Sequence, residues 1–142
     1  MAGQEKALIV GAGRGLSASL ARLCAAEGMP VALAARNTDK LDRLVADTGA
    51  RAYQCDASDP ASVDRLFASV TADIGAPNLV VYNASNRGGR GPITDLDPEA
   101  VRNALMITAF GGFLIAQAAA KQMIPAGGGT ILLTGASASV KG

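Results

Sequence analysis

Glycines at 11, 13 and 15, arginines at 14 and 36, and the segment Asn83-Ala84-Ser85-Asn86 are the parts of this chain whose residue types and spacing could do chemistry. Gly11, Gly13 and Gly15 let the backbone turn tightly and come close to a ligand. The free N–H groups and dipole of a helix opening near Gly15 favour a pyrophosphate, held by the run from Gly11 through Leu16 to Ser17. The run follows an apolar strand and opens an amphipathic helix, which is the context a nucleotide loop requires; the alternative is a plain strand-to-helix turn. No GxxxxGK[ST] occurs, so a P-loop is excluded. About 20 residues beyond such glycines, NAD binders carry Asp or Glu for the ribose 2′-hydroxyl, whereas an Arg suits a 2′-phosphate. Here the position reads Ala34-Ala35-Arg36-Asn37 and holds no carboxylate. Arg14 approaches the same phosphate from the other side, so the pair points to NADP; the alternative is two solvated loop arginines.

The residue types that are missing narrow the chemistry further. There is no His and no Trp, which removes His-dependent triads, His–metal sites and imidazole acid/base catalysis. Any reaction is left to Ser, Thr, Tyr, Lys, carboxylates or a bound cofactor. Cys24 and Cys55 lack CxxC spacing, so both read as packing residues and no metal site is expected. With 13 Lys+Arg against 12 Asp+Glu, no strong field exists to draw in nucleic acid or an anionic membrane.

These residues need elements to position them. At 142 residues, 49% hydrophobic and 18% charged, the sequence describes one domain over 1–142 built as a sheet covered by helices. Apolar runs at 6–10, 31–35, 52–55, 78–82 and 130–134 read as strands. Between them lie helical periods: Leu16, Leu20, Leu23 and Cys24 on one face, then Leu41, Leu44 and Val45, then Val63, Phe67, Val70 and Ile74. Asp59-Pro60 and Asp97-Pro98 each place an N-cap before a proline at the first helical position. The second of these opens a long helix over 98–123, whose uncharged stretch 103–120 reaches the lower limit of ~18 residues for a membrane span. Asn103, Thr108 and Gln117 within it, and strand-like runs on either side, make it a helix of the core or of an oligomer interface. Such alternation requires right-handed βαβ crossovers: a Rossmann-like, doubly wound parallel α/β sheet of order 3-2-1-4-5. Ligands bind such sheets beyond the first and fourth strands, where strand order reverses, and the glycine run and Asn83 leave those two strands.

The sequence resembles the short-chain dehydrogenase/reductase family. Residues 7–17, AlaLeuIleValGlyAlaGlyArgGlyLeuSer, look like its TGxxxGxG segment, with Val10 where Thr is usual and Ser17 where the last Gly is usual. Asp56, followed by Ala57, matches the family's acidic residue at the adenine, and Tyr82-Asn83-Ala84-Ser85 resembles its NNAG motif. The resemblance implies that Asp56 and Ala57 hold the adenine and that Asn83 and Ala84 border the ribose and nicotinamide. Its catalytic Ser falls on Ala136, with Ser137, the expected catalytic residue, and Ser139 close enough to substitute. Its helix Asn falls on Thr108. Its Tyr-xxx-Lys pair has no counterpart, since neither Tyr53 nor Tyr82 is followed by Lys four residues on.

The resulting expectation is the NADP-binding part of an oxidoreductase acting on a small carbonyl or alcohol, truncated after the fifth strand and inactive by itself. Homo-oligomers would form through helix 98–123. The competing expectation is a non-catalytic dinucleotide-binding or scaffold protein that ends naturally at Gly142 and offers its open fifth strand to a partner. A first apolar run too short for a signal peptide, and thiols without a disulfide pattern, point to the cytoplasm.

Overall fold

Strands and helices alternate as the periodicity requires. In the computed structural model, which describes residues 3–141, the strands are β1 (Ala7–Val10), β2 (Val31–Ala35), β3 (Arg51–Gln54), β4 (Leu79–Tyr82) and β5 (Thr130–Leu133). All pairings are parallel and the order is β3-β2-β1-β4-β5. The helices are α1 (Leu16–Ala26), α2 (Asp42–Thr48), α3 (Pro60–Ile74), α4 (Pro98–Leu105) and α5 (Gly111–Met123).

The two-residue period of the strands divides the core into two layers. Leu8, Val10, Ala32, Ala34, Val80 and Tyr82 face Val63, Leu66, Phe67 and Val70 of α3 and Leu114, Ile115, Ala119 and Met123 of α5. Ala7, Ile9, Val31, Leu33, Ala35 and Val81 face the other way, onto Ala18, Ala21 and Cys24 of α1 and Leu44 of α2. Burial on both faces is why β1 and β2 are apolar at every position. Both proline-led helices are capped as expected: Asp59 accepts from the Ala61 N–H at 3.1 Å and Asp97 from the Glu99 N–H at 3.2 Å.

Three expectations are corrected. Leu16 and Leu23 do not face the core; both are 59% exposed, and α1 buries Ser17, Ala18, Ala21 and Cys24 instead. Small residues let α1 lie close to the sheet, and leucines on that face would hold it away. The third strand runs over Arg51–Gln54 and is largely exposed, because it forms one edge of the sheet. The long helix is interrupted: Met106–Phe110 forms a π turn between α4 and α5. By length and composition Pro98–Met123 could cross a membrane; in the fold, Leu114, Ile115, Ala119 and Met123 pack into the core layer under β4.

Tyr82 holds the π turn in place. Its ring is buried at the end of β4, and its hydroxyl donates to the Ile107 carbonyl. Burial pushes this hydroxyl up to about 12, so it remains a donor at all ordinary pH. Gly111 lets α5 lie flat on the ring, since a Cβ there would overlap the Tyr82 hydroxyl and sit 3.1 Å from the Ala57 carbonyl oxygen. Gly111→Ala should therefore cost about 1–3 kcal/mol through overpacking. In a Tyr82→Phe background the added cost should be smaller, because the overlapped hydroxyl is gone. Urea unfolding of the four proteins in this cycle measures the coupling, and strict additivity would contradict the packing described.

Candidate functional site

The site is built where β1 and β4 end side by side. Gly11 turns the chain at φ +83°, and a Cβ on it would fall within the Ala84 backbone. Glycine is thus required twice over, by dihedral and by clearance. Gly11 and Ala12 both donate their N–H to the Ala34 carbonyl, at 2.9 and 3.0 Å, and Asn83 donates its N–H to Val10 at 2.8 Å. Three strand ends are thereby pinned together.

A side-chain relay ties the same point to α1 and to the residue after β5. Ser17, 1% exposed, donates its hydroxyl to the Gly11 carbonyl at 3.2 Å and accepts from Asn83 Nδ2 at 2.7 Å. Asn83 Oδ1 in turn accepts from Thr134 Oγ1 at 2.8 Å. Both ends of the Asn83 amide are thereby engaged.

Above this junction opens a cavity of about 280 Å³. Its glycine-loop side is formed by Val10, Gly11 and Arg14, and the side from β2 by Ala34, Ala35, Arg36 and Lys40. Cys55, Asp56 and Ala57 follow from β3, and Asn83, Ala84, Ser85 and Ile107 complete the wall. Arg14, Arg36 and Lys40 give the rim a positive character. The ion pairs among the described residues, Arg22–Asp47, Arg51–Asp73 and Arg102–Glu99, engage none of the three.

Asp56 is the carboxylate within the cavity wall. The Ser58 hydroxyl at 2.6 Å is the main influence holding its carboxyl below the usual range, helped by the Ser58 N–H at 3.0 Å and the Arg36 charge against partial desolvation. The Asp56 N–H donates to Ser62 Oγ at 3.0 Å, which fixes the backbone at the end of β3. Burial pushes the neighbouring Cys55 thiol up, so it stays protonated and serves as wall.

Several expected residues stand elsewhere. Gly13 and Gly15 shape the loop, Gly15 capping α1 at φ +82°, while Leu16 points outward and does not line the cavity. Asn37 uses its Oδ1 to accept the Asp39 N–H at 3.0 Å. Ser137 opens a short 3₁₀ turn, Ser137–Ser139, is exposed, and is not among the cavity-lining residues. Ser139 donates to the Ala136 carbonyl at 2.8 Å. Thr108 lies in the π turn and clamps the loop after β4, accepting the Asn86 N–H at 3.1 Å and lying 3.3 Å from the Asn86 carbonyl oxygen. Lys40, Ile107 and Thr134 were not marked by any motif. Thr134 was recoverable as the polar residue that ends the strand run 130–134.

The fold and this junction define a class, and the chain belongs to the short chain dehydrogenase family, whose model matches residues 5–142. It is similar to D-threitol dehydrogenase of Mycolicibacterium smegmatis, 32% identical over 131 residues, which covers 89% of this chain and 50% of that protein. The crystal structure of a short-chain type dehydrogenase/reductase from Mycobacterium marinum superposes with a TM-score of 0.86 at 32% identity, over 96% of this chain and 57% of that one. A metagenomic short-chain oxidoreductase in complex with NADP gives 0.85 at 27% identity, over 91% and 61%. The chain spans about half the length of the curated relatives it matches.

Ser58→Ala should move the Asp56 titration up toward the ordinary carboxylate range. A depressed folded pKa contributes stability above the ordinary range that is lost as pH falls through the folded value, so the variant, with the depression reduced, should have less of this contribution at neutral pH and lose less stability on acidification than the parent. Carboxyl NMR titration reads the shift, and an unmoved Asp56 would show that Ser58 does not set it.

Proposed function

We propose that these residues form the dinucleotide-binding part of an oxidoreductase that transfers a hydride between NADP(H) and a small carbonyl or alcohol. The observation that carries the reading is the presence of Arg14 and Arg36 on one rim of a cavity at the β1–β4 junction, with no carboxylate closing β2. In this reading the loop from Gly11 to Ser17 takes the pyrophosphate on the N-terminus of α1. Arg14 and Arg36 face the 2′-phosphate, with Asn37 shaping the turn beside it. Asp56 and Ala57 border the adenine, and Asn83, Ala84 and Ser85 border the ribose and nicotinamide.

The cavity suits such a guest in two respects. Its wall combines small apolar residues, Ala34, Ala35, Ala57 and Ala84, with a few charged groups, which matches a flat base attached to anionic groups. Gly11 also lets the loop turn directly against the Ala84 backbone, so the strand ends that line the cavity stay together. The bound nicotinamide would supply the hydride chemistry, and the chain would bind and orient it. The relative solved with NADP supports the same choice of cofactor. Ser137 is the proposed catalytic serine, and turnover is assigned to a protein that adds a Tyr-xxx-Lys pair to these residues. Leu105 and Phe113, 62% and 54% exposed, support helix 98–123 as the surface through which copies associate, and a cytoplasmic setting suits a soluble cofactor.

Arg36→Ala tests the assignment. A charge-assisted hydrogen bond contributes about 1.5–3 kcal/mol, so NADPH affinity should fall roughly 10- to 100-fold while NADH affinity stays nearly unchanged. Fluorescence titration with both cofactors measures this. Tighter binding of NADH than NADPH by the unmutated protein would overturn the reading.

A further inference from the structure

Lys40 stands where neither the glycine motif nor the end of β2 pointed. It lies in a short 3₁₀ turn, Asp39–Leu41, whose placement is fixed from within. Leu41 is completely buried in the core, the Leu41 N–H donates to the Thr38 carbonyl at 2.9 Å, and Asn37 Oδ1 holds the Asp39 N–H at 3.0 Å. With Leu41 anchored inward, Lys40 projects from the turn toward the glycine loop. Its Nζ comes to 3.9 Å from where a side chain on Gly13 would begin, and Lys40 lines the same cavity as Arg14 and Arg36. Asp39 and Asp42 are its neighbours along the chain, yet among the described residues Lys40 takes part in no ion pair.

We propose that Lys40 is a specificity-determining residue, the third cation of the rim, and that its ammonium faces the 2′-phosphate of the cofactor; this rests on the NADP reading above. The position of the turn supports that phosphate over the pyrophosphate. Lys40 follows the end of β2, where the ribose hydroxyls are read in this architecture, whereas the pyrophosphate belongs at the N-terminus of α1 beside Gly15. Lysine also suits an exposed rim. Its flexible stem carries a point charge that follows a phosphate as it enters, while the forked guanidinia of Arg14 and Arg36 provide directed hydrogen bonds.

Lys40→Gln and Lys40→Arg, titrated with NADPH and with NADH beside the parent protein, form the test. Lys40 is exposed, so neither variant should shift the Tm. Lys40→Gln should weaken NADPH about 3- to 10-fold and leave NADH unchanged, a smaller effect than at Arg36 because an exposed ammonium is screened. Lys40→Arg should retain the parent's preference. If the parent prefers NADPH and Lys40→Gln keeps the ratio, the inference fails and the NADP reading stands. An equal loss for both cofactors would place Lys40 at the pyrophosphate and also overturn it. A parent that shows no preference would overturn the NADP reading itself.

Discussion

Everything in this structure that can meet a ligand depends on one close approach, the turn at Gly11 passing the Ala84 backbone with no side chain between them. A parallel sheet whose order reverses between its first and fourth strands leaves a crevice beyond their ends, because the connections depart to opposite faces. The crevice is useful only if the two strand ends stay together. Here they are held by the Asn83 N–H on Val10 and by the run of hydrogen bonds from Ser17 through Asn83 to Thr134, while Gly11 and Ala12 on Ala34 fix the end of β1 to β2. Buried polar groups are costly when unpaired, so Ser17 and Asn83 stabilise the junction only as a matched pair.

The far wall of the cavity is set by a second close contact. Gly111 lets α5 rest on Tyr82, and the Tyr82 hydroxyl takes the Ile107 carbonyl of the π turn. The widened turn then presents Ile107 to the cavity and Thr108 to the loop after β4. A π turn within a long helix is uncommon and recurs at functional sites, and here the helix wall, the loop and the end of β4 share one set of contacts. The other side of β4 leads to β5, an edge strand with Leu132 and Leu133 47% and 60% exposed. Such an apolar edge favours pairing with a further strand.

Periodicity and punctuation made most of the fold legible. Strand order, both capped Asp-Pro helix starts and the meeting of Gly11 with Asn83 and Ala84 follow from alternating apolar runs and the rules for parallel sheets. What periodicity misreads is α1. Leucines at 16, 20 and 23 make an apolar stripe, but Leu16 and Leu23 stay exposed, Leu20 only borders the core, and the sheet accepts the small stripe of Ser17, Ala18 and Ala21, because closeness of approach outweighs side-chain size there. Arg14, Arg36 and Asp56 were legible from type and position. Lys40 was not, since its place on the rim comes from the turn that buries Leu41, a tertiary fact no local motif encodes. The π turn escaped for a similar reason: it depends on Tyr82 from another element. Ser137 comes from counting along the chain, and it opens a short exposed turn after β5.

The central claim is that the β1–β4 junction is the cofactor site, and a residue-resolved NADPH titration followed through backbone amide shifts tests it most directly. The account predicts that the largest shifts cluster at Gly11, Gly13, Gly15, Arg36, Asp56 and Ala84, with the outer face of α3 undisturbed. Binding that left those amides unmoved, or that moved residues on another face of the sheet, would contradict it.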